Sequence, residues 1–360
     1  MARIGVNALY LIPGGVGGTE IYLRELLAAL ARVDSSNEYF VFTNRETGSD
    51  LVPQQPNFHW LRQNVRARFR AGRILWEQFL LPGAVRQAKV DVLFNPGFTS
   101  PLWTGAPCVS VFHDLQHKRH PEHFRWFDLP FWQFLLWLSA GHSRKLIAVS
   151  EATRADLERF YGTSREKIAV VHHGVDERLF HLDRSRTERM LLCVSTLHPH
   201  KNLERLVRAF ARSKRDFKLV LAGMRGFHAA AVERAIAESG AGASVEITGW
   251  IPREELYRLY SRAHAFVYPS TFEGFGMPLL EAMAAGIPVA CSRIAPLEEV
   301  AGDAALFFDP ASEEQMSAAI ERIMDDAPLR DRLATAGRER AHEFTWEKTA
   351  RETLVALEMK

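Results

Sequence analysis

Cysteine is scarce in this 360-residue sequence: there are three, Cys108, Cys193 and Cys291, and they are far apart. None belongs to a C-x-x-C pair, so we expect reduced, buried thiols of the kind found in the cytoplasm. Long apolar runs are missing too, since none reaches the roughly 18 residues of a membrane span. The first residues have the pattern of a strand, which predicts a chain without a signal peptide. We therefore expect a cytoplasmic protein.

An excess of charge of either sign is also missing. The 45 Lys and Arg residues nearly balance the 43 Asp and Glu residues, which leaves a formal net charge of +2. Proteins that bind nucleic acid in general carry a concentrated basic stripe, so we expect no nucleic-acid partner. The 47% hydrophobic content is that of an ordinary soluble protein. At this length, two domains with separate cores are expected.

Short apolar runs alternate with helical patterns along the whole chain, which is typical of doubly wound parallel sheets. The predicted strands are residues 3–11, 38–43, 91–96, 107–112, 145–149 and 168–172, then 191–195, 218–222, 245–248, 265–268, 288–291 and 305–308. Residues 179–189 are polar and charged without periodicity, and we interpret them as a linker. The sequence thus predicts an α/β protein with two Rossmann-like domains, residues 1–178 and 190–344, on either side of a cleft.

The stretch PSTFEGFGMPLLEAMAAGIPVA, residues 269–290, follows one of these strands and reads as a loop, a helix and a further strand. Pro278 suits the first position of the helix, where its missing N–H costs nothing. The backbone N–H groups of Gly276, Met277 and Leu279 are expected to point beyond the strand end, where the helix dipole adds positive potential. Such an arrangement predicts an anion site that fits phosphate.

Two glutamates flank this predicted anion site. Glu273 precedes it and Glu281 lies in the first turns of the helix. Neither carboxylate should touch a phosphate, because like charges repel. Both could accept hydrogen bonds from hydroxyl groups on either side of it, and a sugar joined to a nucleoside by a diphosphate has such hydroxyls. An ordinary helix start, where acidic residues are favoured anyway, is the alternative.

This stretch resembles the E-x7-E signature of retaining glycosyltransferases of the GT-B class, in particular family 4, and the resemblance covers nearly the whole chain. It implies a donor-binding second domain and an acceptor-binding first domain, on which a last helix at 345–358 packs. Glu273 would bind hydroxyls of the transferred sugar and Glu281 the ribose, while the loop of Gly274 and Phe275 would contact the donor. The class works without a catalytic metal ion, so no cofactor or metal is expected.

A glycine-rich turn at residues 13–20 (PGGVGGTE) joins the first strand to a helical pattern. A strand, a glycine loop and a helix let the backbone approach a phosphate closely. No GK[ST] follows, and taken alone the turn is as well explained without a ligand. Gly17-Gly18-Thr19-Glu20 matches the family pattern G-G-x-[E/Q], which implies that Gly17 and Gly18 face the donor diphosphate and the acceptor.

The segment STLHPHKN, residues 195–202, follows the first strand of the second half. Lys201 is a point charge that can meet a diphosphate, and a solvated lysine at a helix start is the alternative. The family has G-R-x4-K here, but this chain has Thr196 where arginine is commonest. Arg225, after the next strand, is our first candidate for the missing cation. Ile251 ends another strand and is expected to contact the nucleotide base mainly through its backbone.

His113 comes just past the carboxyl end of a predicted strand, where open α/β sheets bind ligands. A structural histidine bonded to nearby backbone is the alternative. The resemblance assigns His113 a contact with the donor sugar. His117, His120 and His123 follow at helix-like intervals, but Pro121 interrupts the pattern, and we predict no metal site.

Two segments of the first half combine aromatic and basic or apolar residues. Residues 60–86 mix six arginines with aromatic residues, and residues 124–138 are the most aromatic part of the chain. Each either packs as an ordinary loop and helix, or contacts a membrane surface. In the second case the protein would be peripheral on the inner face of the cell membrane, which suits an acceptor carried on a lipid.

The sequence as a whole predicts a retaining glycosyltransferase. Details of the 269–290 stretch look most like mannosyl-transferring members that build surface polysaccharide. The expected donor is therefore GDP-mannose, from which mannose is transferred, and the expected acceptor is a glycan or lipid-linked glycan. His113, Lys201 and Glu273 are the expected catalytic residues. A sugar-nucleotide epimerase on the same scaffold and a non-catalytic sugar-nucleotide-binding protein are the alternatives.

Overall fold

The predicted alternation of strands and helices is present in the structure, a computed structural model that describes residues 1–15, 17–213 and 216–358. Val16 of the glycine-rich turn therefore lies outside the described residues. The chain forms two units, one of Met1–Gly174 with Trp346–Lys360 and one of Val175–Thr345. The expected linker at 179–189 belongs to the second unit, because Leu179 and Phe180 are buried and a strand already begins at Glu188.

The first unit is built on a parallel sheet. Its described strands are β1 (Arg3–Asn7), β2 (Glu38–Thr43), β3 (Phe58–Arg62), β4 (Val92–Asn95), β5 (Cys108–Phe112), β6 (Lys145–Ala148) and β7 (Ile168–Val170). They pair in the order β3-β2-β1-β4-β5-β6-β7. Its helices up to the unit boundary are α1 (Gly18–Val33), α2 (Arg70–Phe79), α3 (Leu81–Gln87), α4 (Gln116–Arg119), α5 (Leu129–His142) and α6 (Glu151–Tyr161).

The second unit is built on a parallel sheet of its own. Its described strands are β8 (Glu188–Val194), β9 (Lys218–Ala222), β10 (Val245–Gly249), β11 (Ala263–Tyr268), β12 (Val289–Ser292) and β13 (Ala305–Phe308). They pair in the order β10-β9-β8-β11-β12-β13. Its described helices are α7 (Leu203–Arg212), α8 (Ala229–Glu238), α9 (Arg253–Arg262), α10 (Met277–Ala284), α11 (Ala295–Ala301), α12 (Glu313–Asp325) and α13 (Ala327–Ala341).

The last helix, α14 (Trp346–Leu357), returns to the first unit. Its Trp346 is buried, and the indole ring lies 6.1 Å from the Tyr22 ring on α1. At the surface, Arg32 Nε on α1 donates to Glu347 Oε1 at 2.9 Å. Thr349 Oγ1 donates to the carbonyl of His172 at 2.8 Å, so α14 also fixes the segment after β7.

One strand was not expected from the sequence. β3 overlaps the beginning of the basic, aromatic segment 60–86, which we expected to begin as a loop or at a membrane surface. It pairs with β2 at the edge of the sheet, and in the part that overlaps the segment, exposed Trp60 and Arg62 alternate with partly buried Leu61. An edge strand is buried on one side only, so arginine and tryptophan are tolerated on its outer positions.

The aromatic segment 124–138 is neither wholly buried nor wholly exposed. α5 turns Leu136 and Ala140 into a core that also contains Phe112, while a row of aromatic side chains remains in solvent. No helix within the described residues is both long and apolar enough to cross a membrane.

Candidate active site

The loops that follow β8 and β11 lie side by side. The two strands are parallel neighbours, with Leu191 opposite Ala265, so both loops leave the same edge of the sheet. Thr271 N–H donates to the carbonyl of His200 at 2.8 Å. Asn202, in a left-handed conformation with φ 57°, donates from Nδ2 to the carbonyl of Pro269 at 3.0 Å. These bonds fix the two loops against each other.

Lys201 and Glu273 meet where these loops touch. Lys201 Nζ lies 2.6 Å from Glu273 Oε1, and only 15% and 10% of the two side chains are exposed. Lys201 Nζ also donates to the hydroxyl of Tyr268 at 3.2 Å, the last residue of β11. Burial and the Glu273 carboxylate raise the pKa of Tyr268 well above its ordinary value, so the phenol stays neutral. The lysine is thus held in an ion pair rather than solvated.

Gly276 begins α10 in a conformation that other residues avoid. Its φ is 107°, and a Cβ added there would lie 2.6 Å from Leu297 Cδ2 on α11. The turn starts α10 at Met277, four residues after Glu273, and a helix N-terminus favours an anion. For Leu279 the prediction of a free N–H was wrong, since this group donates to the carbonyl of Gly276 at 3.0 Å and closes the first helical turn.

The residues beside Gly276 differ in what they expose. The Phe275 side chain is buried and lies edge-on to Phe344 at 5.9 Å, so it holds the loop in place and leaves only its backbone for a ligand. Gly274 and Met277 are partly exposed. The N–H groups of Gly276 and Met277 are therefore the candidates that remain from the predicted anion site.

Glu281 lies on α10, one helical turn beyond Met277, and is buried. Tyr260 on α9 donates its hydroxyl to Glu281 Oε2 at 2.8 Å. Burial and the Glu281 carboxylate together raise the pKa of Tyr260 well above its ordinary value. The tyrosine therefore acts as a fixed donor that orients this carboxylate.

The loop after β9 is pressed onto the loop that holds Thr196. A Cβ added to Gly223 would lie 2.2 Å from the carbonyl oxygen of Ser195, so only glycine permits this approach. Thr196 is partly exposed, and its carbonyl accepts from the N–H of His198 at 2.8 Å. Arg225 lies on the same short loop after β9, but it reaches outward, with 62% of its side chain exposed, and pairs with Glu233 on α8 at 2.6 Å.

Ile251 lies away from this cluster of side chains. It follows β10 and helps to line a cavity of about 780 Å³ that runs along β8, β9 and β10 beneath α9. None of the other residues that we predicted for the site lines that cavity. The cavity also contains residues from the start of the strands, such as Lys218, so we do not assign the donor to it.

His113, at the end of β5 in the first unit, is buried in an aromatic cluster. Its Nε2 lies 2.8 Å from the carbonyl of Pro96, so Nε2 is the protonated nitrogen and Nδ1 the acceptor in the neutral ring. The ring stacks on His173 at 5.6 Å and meets the Tyr22 ring edge-on at 4.9 Å. Burial lowers the pKa of His113 to about 4 and that of His173 well below its ordinary value.

This pair of neutral histidines should make the protein sensitive to acid. A histidine with ordinary pKa 6.5 that is depressed on folding stabilises the native state fully above pH 6.5, and the stabilisation is lost as the pH falls toward 4. We expect His173→Asn to reduce the fall in free energy of unfolding between pH 7 and pH 5 by about 2 kcal/mol. Urea unfolding at the two pH values measures this, with partly exposed His59→Asn as the control. An unchanged fall in His173→Asn would contradict the assignment.

Gly17 and Gly18 lie where the glycine-rich turn meets α1, and both are exposed. Gly17 has φ 58°, a value that favours glycine. The turn is closed by Glu20, whose Oε2 accepts from the N–H of Gly14 at 2.7 Å. The backbone here is open to a ligand.

Among the described residues, three side chains in the first unit could hold a metal ion: His120, Glu122 and His123, whose ligand atoms lie within 4.8 Å of one another. His120 Nδ1 is already 3.0 Å from Glu122 Oε1. His117 does not join them, because its Nε2 lies 2.6 Å from the Tyr161 hydroxyl and burial lowers its pKa to about 4. The structure thus brings two of the three histidines named in the sequence together with Glu122.

Sequence reasoning missed Tyr268, Tyr260 and Asn202. Tyr268 and Tyr260 are hydrogen-bonded to the predicted site residues Lys201 and Glu281, and Asn202 bonds the loop that precedes Glu273. Tyr268 could have been suspected, since a tyrosine that ends a buried strand at the carboxyl edge needs a partner for its hydroxyl. Nothing in the sequence pattern marks Tyr260 or Asn202.

Two α/β units, each built on a parallel sheet, form the fold of the GT-B class of glycosyltransferases. In the second unit, an ion pair and a helix N-terminus lie at the carboxyl edge of the sheet. The family described as Glycosyltransferase Family 4 matches residues 16–179, and that described as Glycosyl transferases group 1 matches residues 176–340. The chain belongs to these glycosyltransferases, and it is an enzyme of that kind.

The chain is similar to proteins from several organisms. It is 28% identical to O-antigen chain mannosyltransferase B of Escherichia coli over 77% of this chain and 76% of that protein. It is 31% identical to MMP alpha-(1->4)-mannosyltransferase of Mycolicibacterium hassiacum over 71% of this chain and 66% of that protein. Sucrose-phosphate synthase from Thermosynechococcus elongatus has the same fold, with a TM-score of 0.81 at 21% identity over 99% of this chain and 98% of that one.

Proposed function

We propose that the protein transfers mannose from GDP-mannose to a glycan or lipid-linked glycan, with retention of configuration, in the synthesis of cell-surface polysaccharide. The observation that carries the proposal is the buried Lys201–Glu273 pair beside the N-terminus of α10. Mannose is favoured because two similar proteins, O-antigen chain mannosyltransferase B and MMP alpha-(1->4)-mannosyltransferase, bear it in their names.

The leaving diphosphate gains negative charge as the glycosidic bond breaks. A lysine ammonium has three N–H donors. Two of them are directed to Glu273 and Tyr268, and we propose that the third meets the diphosphate. The N–H groups of Gly276 and Met277 and the dipole of α10 would add to this stabilisation. Because all of these groups are fixed before the donor binds, they would act by preorganised electrostatics.

The two glutamates would bind hydroxyl groups on either side of the diphosphate. Glu273 would accept hydrogen bonds from the transferred sugar, and Glu281, oriented by Tyr260, from the ribose. We do not assign a nucleophile. Retention would follow from attack on the front face of the sugar, with the leaving phosphate taking the proton of the acceptor. No catalytic metal ion enters this scheme.

The remaining residues have supporting parts in the proposal. His113 would accept a hydrogen bond from a sugar hydroxyl through Nδ1, because Nε2 is engaged by Pro96. Gly17 and Gly18 would face the diphosphate and the acceptor. Ile251 would contact the nucleotide base through its backbone.

Thermal unfolding of the purified protein with GDP, UDP, ADP and dTDP, and with their common sugar conjugates, tests the donor. A ligand present at a hundred times its Kd stabilises the native state by about 2.7 kcal/mol. We expect stabilisation by GDP and GDP-mannose above all others. Stabilisation by another nucleotide would replace the proposed donor. If no nucleotide stabilises the protein, the non-catalytic scaffold becomes the favoured function.

The same assay tests Arg225, and a separate assay of nucleotide release tests the epimerase alternative. If Arg225 replaces the arginine that Thr196 displaced, it must leave Glu233 when the donor binds, and Arg225→Ala should weaken stabilisation by GDP-mannose. A wild-type response would remove Arg225 from the site. Release of GDP only when an acceptor is present separates a transferase from an epimerase.

A further inference from the structure

The first unit exposes large apolar side chains on two helices. On α2 and at its ends these are Phe69, Leu75, Phe79 and Leu80, and on α5 and before it they are Trp126, Phe127, Phe131, Phe134 and Trp137. Between 49% and 84% of each residue is exposed. Single exposed apolar residues are common, but a contiguous set of this size marks a binding surface.

Two sets of contacts link these helices within the first unit. At one end, the Arg70 guanidinium of α2 lies 4.2 Å from the centre of the Trp132 ring on α5. At the other end, Gln78 Nε2 donates to the carbonyl of Ser100 at 3.0 Å, and Ser100 N–H donates to Ser139 Oγ on α5 at 3.2 Å. On α2 the two points are eight residues apart and on α5 they are seven residues apart, which is roughly 11–12 Å along each helix. Because the earlier residue of one helix contacts the earlier residue of the other, the helices run in the same direction.

Each helix already has a buried side, so the exposed residues are not a displaced core. α2 buries Arg73, Ile74 and Glu77, and α5 buries Leu135, Leu136, Ser139 and Ala140. On α5 the exposed residues Phe131, Phe134 and Trp137 recur every three positions, which keeps them along one stripe. Phe134 and Trp137 stack on each other with their rings 6.1 Å apart.

Exposed basic side chains accompany the apolar residues on the same two segments. Arg66, Arg68, Arg70 and Arg125 are exposed, and the only exposed acid in residues 64–80 and 124–142 is Asp128. The only other acid in these ranges, Glu77, is buried. Aromatic rings beside arginines fit the boundary between lipid headgroups and acyl chains, and the positive charge complements anionic phospholipids. A second copy of the same surface would instead bring the two sets of arginines toward each other.

We propose that this face, the α2–α5 surface of Phe69, Leu75, Phe79, Phe131, Phe134 and Trp137 with its four arginines, docks the first unit on an anionic phospholipid bilayer. The aromatic rings enter to headgroup depth, and the chain does not cross the membrane. The proposal does not depend on the donor or the transfer reaction, and it decides between the two roles that the sequence left open for both segments.

Sedimentation of the full chain with phospholipid vesicles tests this. The wild type should sediment with vesicles of phosphatidylcholine and phosphatidylglycerol, and weakly with phosphatidylcholine alone. The triple variant Phe131→Ser, Phe134→Ser, Trp137→Ser should lose about a hundredfold in vesicle affinity. The double variant Arg66→Gln, Arg68→Gln should lose about twentyfold, and this loss should shrink at high salt. These positions are exposed, so thermal unfolding without lipid should be unchanged.

The controls are two exposed residues of the second unit, Trp250 and Arg234. Trp250→Ser and Arg234→Gln should sediment like the wild type. Wild-type sedimentation of the triple variant, or equal binding of the wild type to neutral and anionic vesicles, would overturn the proposal. A second outcome would also overturn it: a wild type that does not bind vesicles but forms a dimer, with the dimer lost in the triple variant. The face would then join two copies of the chain.

Discussion

Glu273→Gln should lower the turnover of the proposed transfer at least about a hundredfold, and Lys201→Ala should do the same. Glutamine keeps the size of the side chain but removes the charge that holds Lys201 at 2.6 Å. Without its partner, the ammonium group is no longer fixed where the diphosphate would gain charge. Steady-state rates with a saturating donor measure the effect, because the loss should fall on turnover rather than only on donor affinity.

The Arg208–Glu313 pair supplies a matched control for this prediction. It joins α7 to α12 in the same unit, also at 2.6 Å, but it is more exposed. Glu313→Gln should leave both turnover and stability near wild type, since exposed ion pairs contribute little. Lys201→Ala leaves a largely buried carboxylate, so its unfolding must be checked beside its rate. Near wild-type turnover in Glu273→Gln would remove this residue from the mechanism.

Gly276→Ala should abolish most of the stabilisation by the donor and lower the free energy of unfolding by about 2 kcal/mol. At φ 107° an alanine is strained, and its Cβ would lie 2.6 Å from Leu297 Cδ2. The start of α10 must then move, and the two N–H groups proposed to meet the phosphate move with it. Thermal unfolding with and without GDP-mannose measures both effects.

A second substitution separates the two causes. Leu297→Ala removes the close contact but not the backbone strain, and truncating this buried leucine itself costs about 2–5 kcal/mol. Gly276→Ala should therefore lower the free energy of unfolding less in the Leu297→Ala background than in the wild type. Gly242→Ala is the control, because an added Cβ there meets only Ile236 Cγ2 at 4.0 Å. Donor stabilisation of wild-type size in Gly276→Ala would mean that the start of α10 does not bind the diphosphate.

The sheets were predictable because their central strands are continuous apolar runs. β11 and β12, for example, are buried on both sides, and runs of this length suit buried parallel strands better than helices. β3 escaped prediction because an edge strand keeps polar residues on one face, and its arginine and tryptophan looked like the start of a surface segment. The pair Leu179-Phe180 was missed for a similar reason, since charged neighbours hide two buried residues.

The candidate site was predictable residue by residue but not as a set of contacts. Lys201 and Glu273 are 72 positions apart, and only the parallel pairing of β8 with β11 brings them together. Periodicity does not report which strands are neighbours. The helix was expected to begin at Pro278 and begins at Met277, but the bond from Leu279 to the carbonyl of Gly276 depends on the left-handed turn that glycine allows.

The course of α14 affects how the protein can fold during synthesis. The ribosome completes the whole second unit before it makes the helix that covers Tyr22 and His173. Until then the nascent first unit leaves an apolar face of α1 in water, although its sheet is complete. Domains usually fold as units in order of synthesis, but here the first to emerge is the last to be finished. A chain cut before Trp346 therefore would not yield two independent halves.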